Sequence, residues 1–210
     1  MEEEKSAVEA LLKLAEQNDR AACDRLLAMH REQLKRMVSV RIDSRLSPRV
    51  DPSDVVQEAL AEANACLPDY ARTRPIPFYP WLRRLTWERM VAASRHHIGS
   101  KKRSVVREDP GPLGLSNESA HDLAGRLAAS GTSPSGRMNQ QELQERIRAA
   151  LLLLESNHRE VLVLRYLEQL TTKETAAVLA ISEGGVKSRL MRALVRLRAA
   201  MEDETVEKQL

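Results

Sequence analysis

Apolar residues recur along this chain at three- and four-residue intervals, the period of one helix face. Val8, Leu11, Leu12 and Ala15 make a first stripe, and Leu26, Leu27, Leu34, Met37 and Val38 a second, so helix is expected over 5–46, ended by Pro48. A new helix starts at Asp51 or Ser53, with Pro52 in the first turn, where its missing N–H costs nothing. It carries Val55, Val56, Ala59, Leu60 and Ala63 and is expected to stop before Pro68. Pro75, Pro77 and Pro80 then hold the chain extended. Helix resumes at Pro80 or Trp81 and runs to about Ile98, with Leu82, Leu85 and Met90 on its apolar side and Gly99 as terminator. From 101 to 138 Gly, Pro and Ser punctuate the sequence, which reads as a linker with a short helix at 119–129 anchored by Leu123 and Leu127. Helical spacing returns from Asn139 to about 202, before a polar tail. The expected fold class is all-α: two small helical domains, 5–100 and 139–202, joined by a flexible linker, 101–138.

Within the second domain, residues 157–198 have the layout of a helix-turn-helix. Asn157 stands three residues before Glu160, and Thr171 three before Glu174, so a capping box is expected at each helix start. Ser182 caps the last helix after a tight Ile181-Ser182 turn. In that helix Val186, Leu190, Ala193, Leu194 and Leu197 share one face, the core side. Gly184, Ser188 and Arg192 face the other way, flanked by Lys187 and Arg189. A helix that is polar and cationic outside and entered through a tight turn suits a DNA major groove.

Composition sharpens this picture. The chain has 210 residues, few aromatics and a formal net charge of only +3. Charge is segregated rather than uniform: the N-terminus opens MEEEK, while 83–107 and 187–198 are strongly basic. That distribution implies two polyanion contacts beside acidic, protein-facing surfaces. Cys23 and Cys66 lie far apart with no CxxC, which argues against a disulfide framework. No apolar run approaches membrane-spanning length, and the acidic start lacks a signal-peptide core. A cytoplasmic protein with no membrane contact is expected.

Four pieces of sequence, in order, resemble one family: Asp54-Val55-Val56-Gln57-Glu58, Trp81-Leu82, Arg159-Glu160-Val161-Leu162-Val163-Leu164-Arg165-Tyr166, and Ile181-Ser182-Glu183-Gly184-Gly185-Val186-Lys187-Ser188-Arg189-Leu190. Together they are similar to the extracytoplasmic-function (ECF) group of the sigma-70 family of bacterial RNA polymerase sigma factors. Three positions depart from the family pattern: Gly185 stands where Thr is usual, and Glu88 and Ala92 replace an Asn and an Asp. The resemblance implies that 5–100 is sigma region 2 and 139–202 is sigma region 4. It implies binding to core RNA polymerase through the largest-subunit clamp and the flap, recognition of −35 and −10 promoter DNA, and promotion of melting. It also admits an anti-sigma factor as a further partner.

Candidate site residues follow in three groups. Asp54, Val55, Gln57 and Glu58 would bind core polymerase, an acidic and hydrogen-bonding face suited to a basic protein surface. Phe78, Tyr79, Trp81, Arg84, Trp87, Arg95, Lys101, Lys102 and Arg103 would hold the melted −10 strand, because stacking rings beside backbone cations are how proteins retain single strands. Phe78 and Tyr79, on a proline-stiffened loop, are the preferred base contacts, while Trp81 and Trp87 also suit a core role. Ser182, Gly184, Gly185, Lys187, Ser188, Arg189 and Arg192 would read the −35 element.

A stand-alone helix-turn-helix regulator is the alternative, but it leaves DVVQE and WL without a role. An enzyme is disfavoured. His30, His96, His97, His121 and His158 show no ligand spacing with Cys23 or Cys66, and neither a Gly-rich phosphate loop nor a nucleophile elbow occurs. No catalytic residue, metal or cofactor is expected.

Overall fold

The computed structural model describes residues 2–42, 51–98, 115–130 and 140–207. These hold α1 (Glu2–Glu16), α2 (Arg20–Arg41), α3 (Pro52–Thr73), α4 (Phe78–Ile98), α5 (Asn117–Ser130), α6 (Gln140–Leu153), α7 (Ser156–Leu162), a π turn (Val163–Leu167), α8 (Thr172–Leu179) and α9 (Glu183–Glu207). Among the described residues there is no strand, and the fold is all-α. The chain divides into two compact units, 1–105 and 106–210.

In the first unit α1–α4 form a bundle, and the helix expected over 5–46 is in fact two. Asn18 adopts a left-handed φ of 62°, which ends α1. Asp19 then caps α2 by accepting the Ala22 N–H at 3.0 Å. Short Asn and Asp side chains suit both tasks. The break lets α1 fold back on α2 and α3, with Leu11, Leu12 and Ala15 buried.

α3 starts as expected, with Asp51 accepting the Ser53 N–H at 2.7 Å and Pro52 in the first turn. It does not stop at Pro68 but runs through it to Thr73. An interior proline removes one backbone hydrogen bond and costs about 3 kcal/mol. Burial of the turn beyond it offsets that cost: Tyr70 and Ala71 are 5% and 2% exposed, and the Tyr70 hydroxyl donates to the Ile76 carbonyl at 2.8 Å. Burial also pushes the phenol pKa up to about 12, so the hydroxyl remains a donor. Arg74 closes the helix in a left-handed conformation, its N–H on the Tyr70 carbonyl and its guanidinium 2.5 Å from Glu9 of α1.

α4 starts at Phe78, earlier than the prolines suggest. The Pro77 carbonyl accepts the Trp81 N–H at 3.1 Å, so Pro80 falls in the first turn, where no N–H is needed. This start draws Phe78, Tyr79 and Trp81 into one aromatic cluster. Tyr70 stacks on Trp81 with centroids 4.3 Å apart, and Phe78 lies 5.6 Å from Tyr70 and 5.8 Å from Trp81.

In the second unit α5 packs on α6 and on the π turn. Ala120, Leu123, Ala124 and Leu127 are buried along its inner face, including the two anchors expected for a short helix here. The Asn157 capping box is absent. α7 begins at Ser156, its cap residue Glu155 makes no side-chain cap bond, and Asn157 lies exposed inside the helix. Buried Leu154 sets where the chain enters, and the Glu155 carboxylate is drawn to Arg196 of α9 at 2.5 Å.

Val161, Leu162, Val163 and Leu164 are all buried. Four consecutive apolar residues span more than one α-helical face, and here the helix widens into the π turn. The Glu168 N–H reaches the Val163 carbonyl at 3.0 Å, and the Leu170 N–H the Leu164 carbonyl at 2.9 Å. Arg126 of α5 donates to the Tyr166 carbonyl at 3.0 Å, and Arg165 to the Leu170 carbonyl. Carbonyls at the widened turn thus find partners.

Candidate nucleic-acid interface

The helix-turn-helix of the second unit is α8, a turn at Ala180–Ser182, and α9. Thr171 and Glu174 form the expected capping box: Thr171 Oγ1 accepts the Glu174 N–H at 3.2 Å, and Glu174 Oε2 accepts the Thr171 N–H at 2.8 Å. Ala180 ends α8 with a left-handed φ of 52°, and the Ile181 N–H returns to the Ala176 carbonyl at 3.0 Å. Ser182 Oγ accepts the Gly185 N–H at 3.0 Å, so this serine is the cap of α9. Ser182 is exposed, and its hydroxyl keeps its own O–H donor free for a ligand while it caps the helix.

α9 buries Val186, Ala193 and Leu197 and half-buries Leu190 and Leu194, as the spacing predicted. Gly184, Lys187, Ser188 and Arg192 are exposed, while Gly185 and Arg189 are half-buried. Arg192 Nε donates to the Ser188 carbonyl at 3.3 Å, which holds the guanidinium along the outer face. A Cβ on Gly184 would stand 3.9 Å from Ser182 Oγ, at ordinary van der Waals contact, whereas one on Gly185 would come within 3.3 Å of that oxygen. The Cβ of the usual Thr at 185 would therefore sit against the cap itself. Sequence reasoning missed Met191 and Val195, 64% and 60% exposed on the same helix beside Arg192. Their spacing of four was the available signal.

In the first unit Asp54, Gln57 and Glu58 are exposed on α3. Val55 is not: at 4% exposure it belongs to the core with Val56 and Ala59, so it holds the helix rather than forming part of a contact surface. Further along, Glu62 pairs with Arg89 of α4 at 2.6 Å, and the guanidinium holds the Glu62 carboxyl below its usual range.

Phe78 and Tyr79, the expected base contacts, are not presented at the surface. Both rings are buried, at 6% and 3% exposure, and Trp81 is a core residue at 5%. The prolines do not hold these rings out on a loop, because the aromatic cluster gathers them inward. Arg84 is exposed, with Glu88 4.0 Å away. Trp87 is half-buried, with the guanidinium carbons of Arg41 and Arg83 at 5.6 and 5.8 Å from its ring. Arg41 and Arg83 are 3% and 7% exposed, so Arg83 is a stacking partner rather than an outward cation. Arg41 sits on α2, far from Trp87 in sequence, and no local pattern singled it out. The Arg95 side chain and Lys101, Lys102 and Arg103 lie outside the described residues.

Among the described residues, no His/Cys/Asp/Glu group is arranged to hold a metal ion, and no helix is long and apolar enough to cross a membrane.

A family model described as Sigma-70, region 4, matches residues 144–197. An RNA polymerase sigma-E factor of Streptomyces antibioticus is 42% identical over 78 residues, 35% of this chain and 43% of that protein. This match spans less than half of that relative's length. The ECF RNA polymerase sigma-E factor of Escherichia coli K12 is 25% identical over 185 residues, 88% of this chain and 89% of that protein. Among solved structures, CnrH in complex with the cytosolic domain of CnrY aligns with a TM-score of 0.53 at 25% identity, covering 94% of this chain and 98% of that one.

Proposed function

The chain belongs to the ECF group of the sigma-70 family, and from that premise we propose that it is a promoter-specificity subunit of bacterial RNA polymerase. It binds core polymerase, reads −35 and −10 elements and promotes melting, and it carries out no catalysis of its own. The observation that carries this reading is the capped helix-turn-helix whose second helix turns Lys187, Ser188 and Arg192 outward.

Residues 5–100 act as region 2 and 139–202 as region 4, with α5 of the intervening stretch held by the second unit. The exposed Asp54, Gln57 and Glu58 face the polymerase clamp, and the second unit meets the flap. Backbone N–H groups at the start of α9 meet a −35 phosphate, which favours a helix N-terminus. Arg189 and Arg192 reach phosphates or base edges. In the first unit the −10 contact rests on Trp87, Arg84, Arg95, Lys101, Lys102 and Arg103. Indole stacking and phosphate pairing there offset the lost base stacking without any need for ATP. A protein partner occupies this chain in its inactive state, as CnrY accompanies CnrH in the solved complex. The protein works in the cytoplasm.

The test is transcript formation by core bacterial RNA polymerase on a library of promoter fragments, with and without the protein. Protein-dependent initiation from a shared two-element sequence is expected. No initiation together with no binding to core would move the assignment to a stand-alone DNA-binding regulator.

A further inference from the structure

The outward face of α9 is not polar throughout. On a helical wheel of about 100° per residue, Met191 and Val195 lie within about 20° of Gly184, one to either side, so they form the midline of that face. Lys187 and Arg192 border the midline at about 60° and about 80°, on opposite sides. The buried Val186, Ala193 and Leu197 fall on the far side of the helix. Met191 and Val195 are 64% and 60% exposed, and no acidic residue occurs between Glu183 and Glu202. α9 therefore carries an apolar strip with a cation on each flank, and Arg192 is steadied by its bond to the Ser188 carbonyl. Two neighbouring apolar side chains held in water at the centre of a cationic face mark a contact surface.

We propose that Met191 reads thymine in the −35 element, its side chain packing on the 5-methyl group in the major groove. The inference rests on the reading of α9 as the −35 helix. Phosphates wall the major groove, and the thymine methyl is the apolar group that base edges present on its floor. Lys187 and Arg192 reach toward the two walls, and the strip between them meets the floor. A methionine offers base edges no strong hydrogen bond, so an amino group or carbonyl pressed against it loses water without a replacement. The thymine methyl gains from the same contact, by about fourfold in affinity for one buried methyl. Met191 stands nearer the start of α9 than Val195, and recognition helices meet base edges from that end. Val195 lies one turn further along and continues the strip.

In the experiment, core RNA polymerase carrying the full chain first selects duplexes from a randomised library, which gives the −35 element. Each thymine of that element is then replaced in turn by uracil, which keeps charge and pairing but lacks the methyl, and binding by the same complex is measured. Wild type is expected to lose about fourfold at one or two neighbouring positions. Met191→Ala should bind the thymine duplex more weakly by about the same factor and be indifferent to uracil there. Met191→Leu, which stays apolar, should keep the sensitivity. The side chain is exposed, so neither change disturbs the core. An element without thymine, or uracil tolerated at every position, would overturn the thymine contact. If Arg192→Ala still weakens binding in that case, α9 remains the DNA helix and the strip is left to a protein partner. Equal uracil sensitivity in wild type and Met191→Ala would overturn the assignment to Met191. Binding that Arg192→Ala does not weaken would overturn the reading of α9, and the thymine contact with it. Failure to select any shared element would sink the promoter reading itself, together with this inference.

Discussion

Phe78→Ala separates a core role from a base-stacking role most sharply. The ring is 6% exposed and touches His30, Tyr70 and Trp81 at centroid distances of 5.2, 5.6 and 5.8 Å. Removing a buried phenyl costs about 3–5 kcal/mol. The site lies in the first turn of α4, where neighbours can close in, so the lower end, about 3 kcal/mol, is expected. Both tryptophans of the chain, Trp81 and Trp87, belong to the first unit. Tryptophan emission therefore reports that unit alone, which matters because a two-unit chain has no single unfolding free energy. With a urea slope of about 1.5 kcal/mol/M, the midpoint should fall by about 2 M. DNA binding by the fraction still folded should change little. An unchanged urea midpoint combined with lost promoter opening would refute the burial argument and return Phe78 to the DNA surface.

Arg192→Ala should weaken a promoter duplex by about 1–2 kcal/mol and lower the salt slope by about one, read by fluorescence anisotropy. Arg198→Ala, whose guanidinium is 3.0 Å from Glu202 further along α9, should fall within error; equal losses would argue against the docking. Gly184→Ala should raise the melting temperature of the second unit through a helix-propensity gain of about 0.5–1 kcal/mol. Gly185→Ala should gain less, because its Cβ meets Ser182 Oγ at 3.3 Å; calorimetry decides the order. Arg89 lowers the Glu62 carboxyl, so its stabilisation is complete above the unfolded value near 4.5 and is lost as pH falls through the lower folded value. Tryptophan-monitored stability should drop there in wild type, and less steeply in Glu62→Gln.

The helical stripes, the Thr171–Glu174 box and the Ser182 cap were legible because each depends on residues within a few positions of one another. The inward face of α9 followed from the same local spacing. The missed break at Asn18 was equally local, but elsewhere the deciding contact was distant in sequence. Asn157 lost its capping role because Glu155 pairs with Arg196. α3 continues past Pro68 because the turn beyond it buries Tyr70 against the aromatic cluster. The three prolines near Phe78 announce an extended loop, yet Tyr70 and His30, from other helices, draw the rings in. The Arg41–Trp87 contact had no local sign at all, since it joins α2 to α4.

The π turn at Val163–Leu167 makes chain length in this segment a matter of rotational phase. Each residue of an α-helix advances about 100°. A widened turn uses one residue more than an α turn on about the same rotation, so it takes up a single extra residue while the faces on either side keep their phase. Deleting one residue there would let the segment relax to ordinary helix with those faces still in step, whereas deleting one from the α-helical turn before it would swing the buried Val161 and Leu162 about 100° off the core. Alignment of this stretch with relatives that lack the wide turn would carry a one-residue gap there.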